Sequence, residues 1–129
     1  MYLHAALITL LTVLLHIVAI WMVGRARGIH GIQVPAVTGN VDFERVFRAH
    51  QNTIEATVMF LPTLWVATLV CNPRYVAVLG FAWLAGRLWY LLAYAAPTGN
   101  RSPGFMIGAL SNIVLLGWAL WNIGARMIG

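Results

Sequence analysis

Four polar side chains recur along one short segment at spacings of three, four and three residues. They are Arg45, Arg48, Asn52 and Glu55. Successive residues of an α-helix are turned by about 100°, so these four fall within about 80° of one another on one face. The segment therefore predicts a helix that presents two guanidinium groups, an amide and a carboxylate to one partner surface.

A second stripe of chemically useful side chains lies further along the chain. Arg87, Tyr90 and Tyr94 are spaced by three and four residues, and Arg101 follows seven residues later. Arg101 would continue the same helix face, although a proline and a glycine between it and Tyr94 predict a kink or an end of the helix first. This spacing predicts a face with two phenols between two cations.

The charges of the two stripes do not balance, because four or five arginines stand against one carboxylate, Glu55, with Glu44 at the rim. Arginine binds carboxylates and phosphates through paired hydrogen bonds, so the surplus favours an anionic guest. Glu55 could bind an amino group of that guest, which would make it a small zwitterion of net negative charge. Two alternatives stay open: Glu55 pairs with Arg48 or Arg87 and locks the bundle, or the guest is a lipid headgroup.

The composition indicates the solvent in which these stripes lie. Of 129 residues, 61% are hydrophobic and 9% are charged, whereas soluble domains carry roughly 25% charged residues. So few charges cannot coat a water-soluble surface, and lipid is the solvent that suits the chain. The apolar runs are continuous rather than alternating, which favours helices over a membrane barrel. The predicted fold class is an all-α integral membrane bundle.

Four membrane-spanning segments fit into this length, because each needs about 20 residues. The predicted spans of this single transmembrane domain are residues 3–24, 43–71, 74–96 and 104–127. The second span begins with polar turns, which we expect at the interface or inside the protein. Basic residues favour the cytoplasmic side of short loops. The first and third connections hold more of the arginines than the other side, so we expect these loops in the cytoplasm and both termini opposite.

Two other classes of function are disfavoured. Although the net charge is +5, no basic cluster is interleaved with exposed aromatic residues, so we expect no nucleic-acid partner. His4, His16 and His30 have no metal-ligand spacing with one another or with Cys71, so no metal site is predicted.

Asn112 and Asn122 are interpreted as hydrogen-bonding partners between helices.

The segment ERVFRAHQNTIE, followed by an apolar run, resembles the second-helix signature of the MAPEG family, the membrane-associated proteins of eicosanoid and glutathione metabolism. The third span, RLWYLLAY, with an arginine after it, is similar to the leukotriene synthase branch of that family. The resemblance covers nearly the whole chain in length and in the order of the spans. It implies a homotrimer of four-helix subunits that binds glutathione, as a co-substrate, between neighbouring subunits near the cytoplasmic side.

The resemblance also implies roles for individual residues. Arg101 matches the catalytic arginine that faces the glutathione sulfur, and Arg87 would brace the site. His50 would serve the site of an adjacent subunit, and Arg25 or Arg27 would reach in from a neighbour. The peptide itself would be held by Arg48, Asn52, Glu55, Tyr90 and Tyr94.

Three departures from the family pattern bear on the function. Ala56 stands where the leukotriene branch has a tyrosine, His50 resembles the microsomal glutathione transferase branch instead, and the Arg101 loop contains two prolines and a glycine. The expected function is a glutathione transferase, with peroxidase activity as a second reaction, acting on a lipophilic substrate from the bilayer. The alternatives are a non-catalytic lipid- or glutathione-binding adaptor of the same fold and a small channel or transporter.

Overall fold

The computed structural model describes residues 2–129, and this part of the chain forms four helices. These are α1 (Leu3–His30), α2 (Val41–Val70), α3 (Pro73–Ala95) and α4 (Ser102–Ile128). Each is long and apolar enough to cross a membrane. The predicted all-helical class is confirmed.

Local sequence explains where the helices begin and end. The side chain of Asn40 accepts hydrogen bonds from the backbone N–H groups of Asp42 and Phe43 at the start of α2. The side chain of Asn72 caps α3 by accepting one from the backbone N–H of Arg74. Helix α1 continues six residues beyond the predicted end of its span at Gly24. It stops at Gly31, whose φ of 67° is a left-handed conformation that glycine adopts without steric cost.

Helices α2 and α3 lie at the centre of the bundle. Helix α1 packs on one side of them and α4 on the other, and within residues 2–129 these two outer helices do not pack against each other. The core between them holds a stacked pair, Phe60 and Trp83, whose ring centroids are 3.7 Å apart. Many large apolar side chains point outward, including Leu10, Val58 and Trp121, as expected of a surface that lies against lipid.

The backbones of α3 and α4 approach each other closely at two glycines. A Cβ atom built on Gly104 would lie 2.6 Å from the backbone nitrogen of Tyr90, and one on Gly86 would lie 2.9 Å from the carbonyl oxygen of Gly104. Small residues allow helix backbones to approach closely in a membrane. This contact sets the position of the α4 N-terminus beside the tyrosines of α3.

Candidate functional site

A cleft of about 340 Å³ opens between α2, the C-terminal part of α3 and the start of α4. We call it the polar cleft. Three helices supply its walls, so the site depends on the packing described above. Its lining residues are Asn52, Tyr90, Tyr94, Arg101, Ser102 and Phe105.

Hydrogen bonding and aromatic contacts order the polar cleft. The amide of Asn52 donates a hydrogen bond to the hydroxyl of Tyr90 at 2.8 Å. The rings of Tyr90 and Tyr94 meet edge to face with centroids 5.5 Å apart. The guanidinium carbon of Arg101 lies 4.2 Å from the ring centroid of Tyr94. The two predicted stripes therefore meet in space at these four residues.

Arg101 holds the N-cap position of α4, so the cation stands where the helix dipole adds further positive charge. The preceding loop is anchored by Trp89, whose indole N–H donates to the carbonyl oxygen of Asn100 at 3.2 Å. The side chain of Asn100 accepts a hydrogen bond from the backbone N–H of Ser102. Together these groups make this wall of the polar cleft attractive to an anion.

Arg87 lies behind the polar cleft rather than in it. Its side chain is buried, and the residue is 4% exposed. A terminal N–H group donates to the hydroxyl oxygen of Thr53 at 3.0 Å, and the guanidinium carbon lies 4.0 Å from the ring centroid of Tyr90. Arg87 thus links α3 to α2 and supports the Tyr90 ring from the far side.

Arg48 and Glu55 are exposed and do not line the polar cleft. Within the described residues the one ion pair joins Arg45 to Asp42 at 3.0 Å, so a lock between Glu55 and an arginine is not formed inside the subunit. Helix geometry explains the exposure. Around the axis of α2, the buried residue Thr53 lies about 100° from Asn52 in one direction, and Glu55 lies about 60° from Asn52 in the other. Glu55 therefore points away from the interior of the subunit.

Three further predicted residues lie apart from the polar cleft. His50 faces α1, where its ring centroid is 6.1 Å from that of His16. Arg27 donates to the carbonyl oxygen of Ala36 at 2.7 Å, and Arg25 is exposed with its guanidinium carbon 5.6 Å from the ring centroid of Trp21.

Ser102 and Phe105 line the polar cleft but were not predicted from the sequence. Their signal was present, because Ser102 follows Arg101 directly and Phe105 lies one helical turn beyond it. Phe105 also borders a second cavity of about 280 Å³, which we call the apolar pocket. Its other walls include Ala56, Trp83, Arg87, Ala109 and Asn112.

The fold and site define a membrane bundle in which amides, phenols and a guanidinium line a polar cleft next to an apolar pocket. The sequence profile of the MAPEG family matches residues 5–121. The chain belongs to the MAPEG family, which confirms the resemblance described above, and it is a multi-pass membrane protein.

Individual relatives agree with this assignment. An uncharacterized protein of Synechocystis sp. is 44% identical over 92% of this chain and 86% of its own length. Microsomal glutathione S-transferase 2 of Mus musculus is 39% identical over 84% of this chain and 74% of its own. Leukotriene C4 synthase of Cavia porcellus is 42% identical over 95% of this chain and 82% of its own.

Proposed function

We propose that this protein is a membrane glutathione transferase that joins the glutathione thiolate to a lipophilic electrophile, and that it can also reduce peroxides with glutathione. The observation that carries the proposal is the polar cleft, where the guanidinium group of Arg101 packs on the ring of Tyr94 next to the hydrogen bond between Asn52 and Tyr90. Two relatives named for a glutathione transferase and a leukotriene synthase align along most of the chain.

Arg101 is the proposed catalytic residue. A free thiol has a pKa of about 8.5, and a fixed cation beside it lowers that pKa. The thiolate is the nucleophile, so Arg101 would raise the reactive fraction of glutathione at neutral pH. Asn52, Tyr90 and Tyr94 offer an amide and two phenols that can hydrogen-bond the peptide groups of glutathione, while Arg87 keeps Tyr90 in place.

The proposed assembly is a homotrimer in which a neighbouring copy completes the site. Arg48 and Glu55 are exposed beside the polar cleft in one chain, where they could bind a carboxylate and the amino group of glutathione. His50 and either Arg25 or Arg27 would be supplied by the neighbour. Of these two arginines we favour Arg25, because the side chain of Arg27 already donates a hydrogen bond to the carbonyl oxygen of Ala36. The first and third connections are proposed to face the cytoplasm.

The test measures binding and turnover separately. Glutathione should raise the unfolding temperature of the purified wild-type protein in detergent, since a ligand at 100 times its Kd stabilises the folded state by about 2.7 kcal/mol. Conjugation to a chromogenic aryl halide should be lost in Arg101→Ala. The matched control is Arg74→Ala, which removes an exposed arginine at the other end of the bundle.

The pH dependence separates a catalytic role from a binding role. In Arg101→Ala the pKa of the bound thiol should return towards about 8.5, so the rate should fall most near pH 6.5 and recover as the pH approaches 9. Stabilisation by glutathione without any turnover would support the alternative, a non-catalytic adaptor. No stabilisation at millimolar glutathione would refute the proposed function and favour a site for lipid headgroups.

A further inference from the structure

The apolar pocket lies directly beside the polar cleft, because Phe105 lines both cavities. Most of its wall is hydrocarbon or aromatic, including Ala56, Trp83 and Ala109. A lipophilic molecule in this space and a ligand in the polar cleft would both border Phe105. The pocket is therefore placed to hold the second substrate of the proposed reaction.

Two polar atoms in this apolar wall have no partner. Nε of Arg87 and Oδ1 of Asn112 are buried, and neither makes a hydrogen bond to any described residue. A buried donor or acceptor without a partner costs about 1–3 kcal/mol, and lipid offers no hydrogen bond in exchange. Both residues line the apolar pocket, but the two atoms themselves have almost no accessible surface, so an occupant can reach one of them only if its side chain turns.

We infer that Asn112 selects lipophilic electrophiles that carry a hydroxyl group. A hydroxyl group can donate its O–H to Oδ1 of Asn112, which gives that amide oxygen the partner it lacks in the described chain. The last torsion of an asparagine side chain is broad, which lets the amide turn towards an occupant. The inference rests on the proposed function in that it takes the occupant to be the partner of glutathione.

A 4-hydroxy-2-alkenal is the simplest electrophile of this class. The thiolate sulfur would form a bond to the β-carbon, and the π pair of the C=C bond would form a new double bond between the α-carbon and the carbonyl carbon. The π pair of the C=O bond would move to oxygen, which gives an enolate. Protonation of that enolate at the α-carbon by solvent, which replaces the proton lost from the thiol, completes the addition, so no leaving group and no further reactant is needed. The hydroxyl group takes no part in forming the sulfur–carbon bond, and its effect on the intrinsic reactivity of the alkenal is the same for every variant. A change in substrate preference between two variants therefore reports recognition of the hydroxyl group.

The experiment compares 4-hydroxy-2-nonenal with 2-nonenal, two substrates that differ in the hydroxyl group alone. We expect the preference of the wild type for the hydroxylated substrate, measured as a ratio of kcat/KM values, to fall about tenfold in Asn112→Leu. The matched control is Asn122→Leu in the same helix. Asn122 donates instead to the sulfur of Cys71 and the carbonyl oxygen of Trp118, so its loss should leave the preference unchanged.

Two further measurements keep the inference distinct from the proposed function. Protection against thermal unfolding by 2-octanol should exceed that by 2-methoxyoctane, which cannot donate, and the difference should vanish in Asn112→Leu. Ala56→Leu should fill the apolar pocket and lower turnover of both alkenals, while glutathione still stabilises the protein. If Asn112→Leu binds glutathione but keeps the preference for the hydroxylated substrate, the inference is overturned and the proposed function stands. If the wild type does not bind glutathione, the proposed function is overturned.

Discussion

Gly104 offers the sharpest test of how helix packing controls the site. A Cβ atom at this position would lie 2.6 Å from the backbone nitrogen of Tyr90 and 2.7 Å from the carbonyl oxygen of Gly86. Both neighbours are backbone atoms of α3, so no side chain can turn away. To restore ordinary contact at 3.4 Å, Gly104→Ala must move α4 away from α3 by about 0.8 Å.

This displacement has two expected consequences. Overpacking of a tight contact costs about 1–3 kcal/mol, so the unfolding temperature should fall by roughly 4–12 °C. Arg101, at the start of α4, moves with the helix relative to Tyr94. Because a misplacement of about 1 Å can cost a hundredfold in rate, we expect conjugation to fall by at least tenfold even at saturating glutathione.

The assay measures thermal unfolding in detergent and the initial rate of conjugation for Gly104→Ala and for Gly117→Ala. Gly117 lies in the same helix, and a Cβ atom there would meet no other atom within 4 Å. Gly117→Ala should therefore unfold at the wild-type temperature or slightly above it, since alanine is the better helix former. If the two variants behave alike in both measurements, the close approach does not position Arg101.

Two further substitutions test individual groups of the site. Tyr90→Phe removes the acceptor of the Asn52 amide and should weaken glutathione binding about threefold to tenfold. The control, Tyr75→Phe, changes an exposed ring and should leave the affinity unchanged. Equal affinities of the two variants in isothermal titration would show that the hydrogen bond does not contribute to binding. Glu55→Gln should weaken glutathione binding without lowering the stability of the ligand-free subunit, because Glu55 has no ion pair in the described chain. Asp42→Asn is its control, since it breaks the exposed pair to Arg45 and should alter stability by less than about 1 kcal/mol without changing glutathione affinity.

The helices and one part of the site could be predicted from the sequence because their causes are local. Continuous apolar runs of membrane length predict spanning helices, and helical spacing predicts that Arg87 and Tyr90 share a face. The structure places Tyr90 against Asn52 of the other stripe. The position of Asn40 before the acidic first turn of α2 is also a local signal for a helix start.

Other features depend on contacts between distant segments and could not be predicted. The close approach at Gly86 and Gly104 requires knowledge of which glycines of α3 and α4 meet. The interpretation of the asparagines holds for Asn122, which reaches Cys71. For Asn112 the structure shows an amide oxygen without a partner in the described chain. Sequence spacing places a side chain on a face, but the neighbour of that face is set by tertiary packing.

The exposure of the charged residues on α2 is the strongest physical reason to test for a second copy of the chain. Glu55 lies 14 residues after the start of α2, about 21 Å along the helix axis, and directly before the apolar part of that helix. A carboxylate exposed to lipid at depth would cost about 2.5–3.5 kcal/mol, and Arg48 places a second exposed charge on the same helix face, about two turns before Glu55. Closure of this face by another subunit, with glutathione between the two, would give both charges partners. The proposed trimer therefore predicts that glutathione stabilises the assembly against dissociation in detergent, and that this effect is weaker in Glu55→Gln.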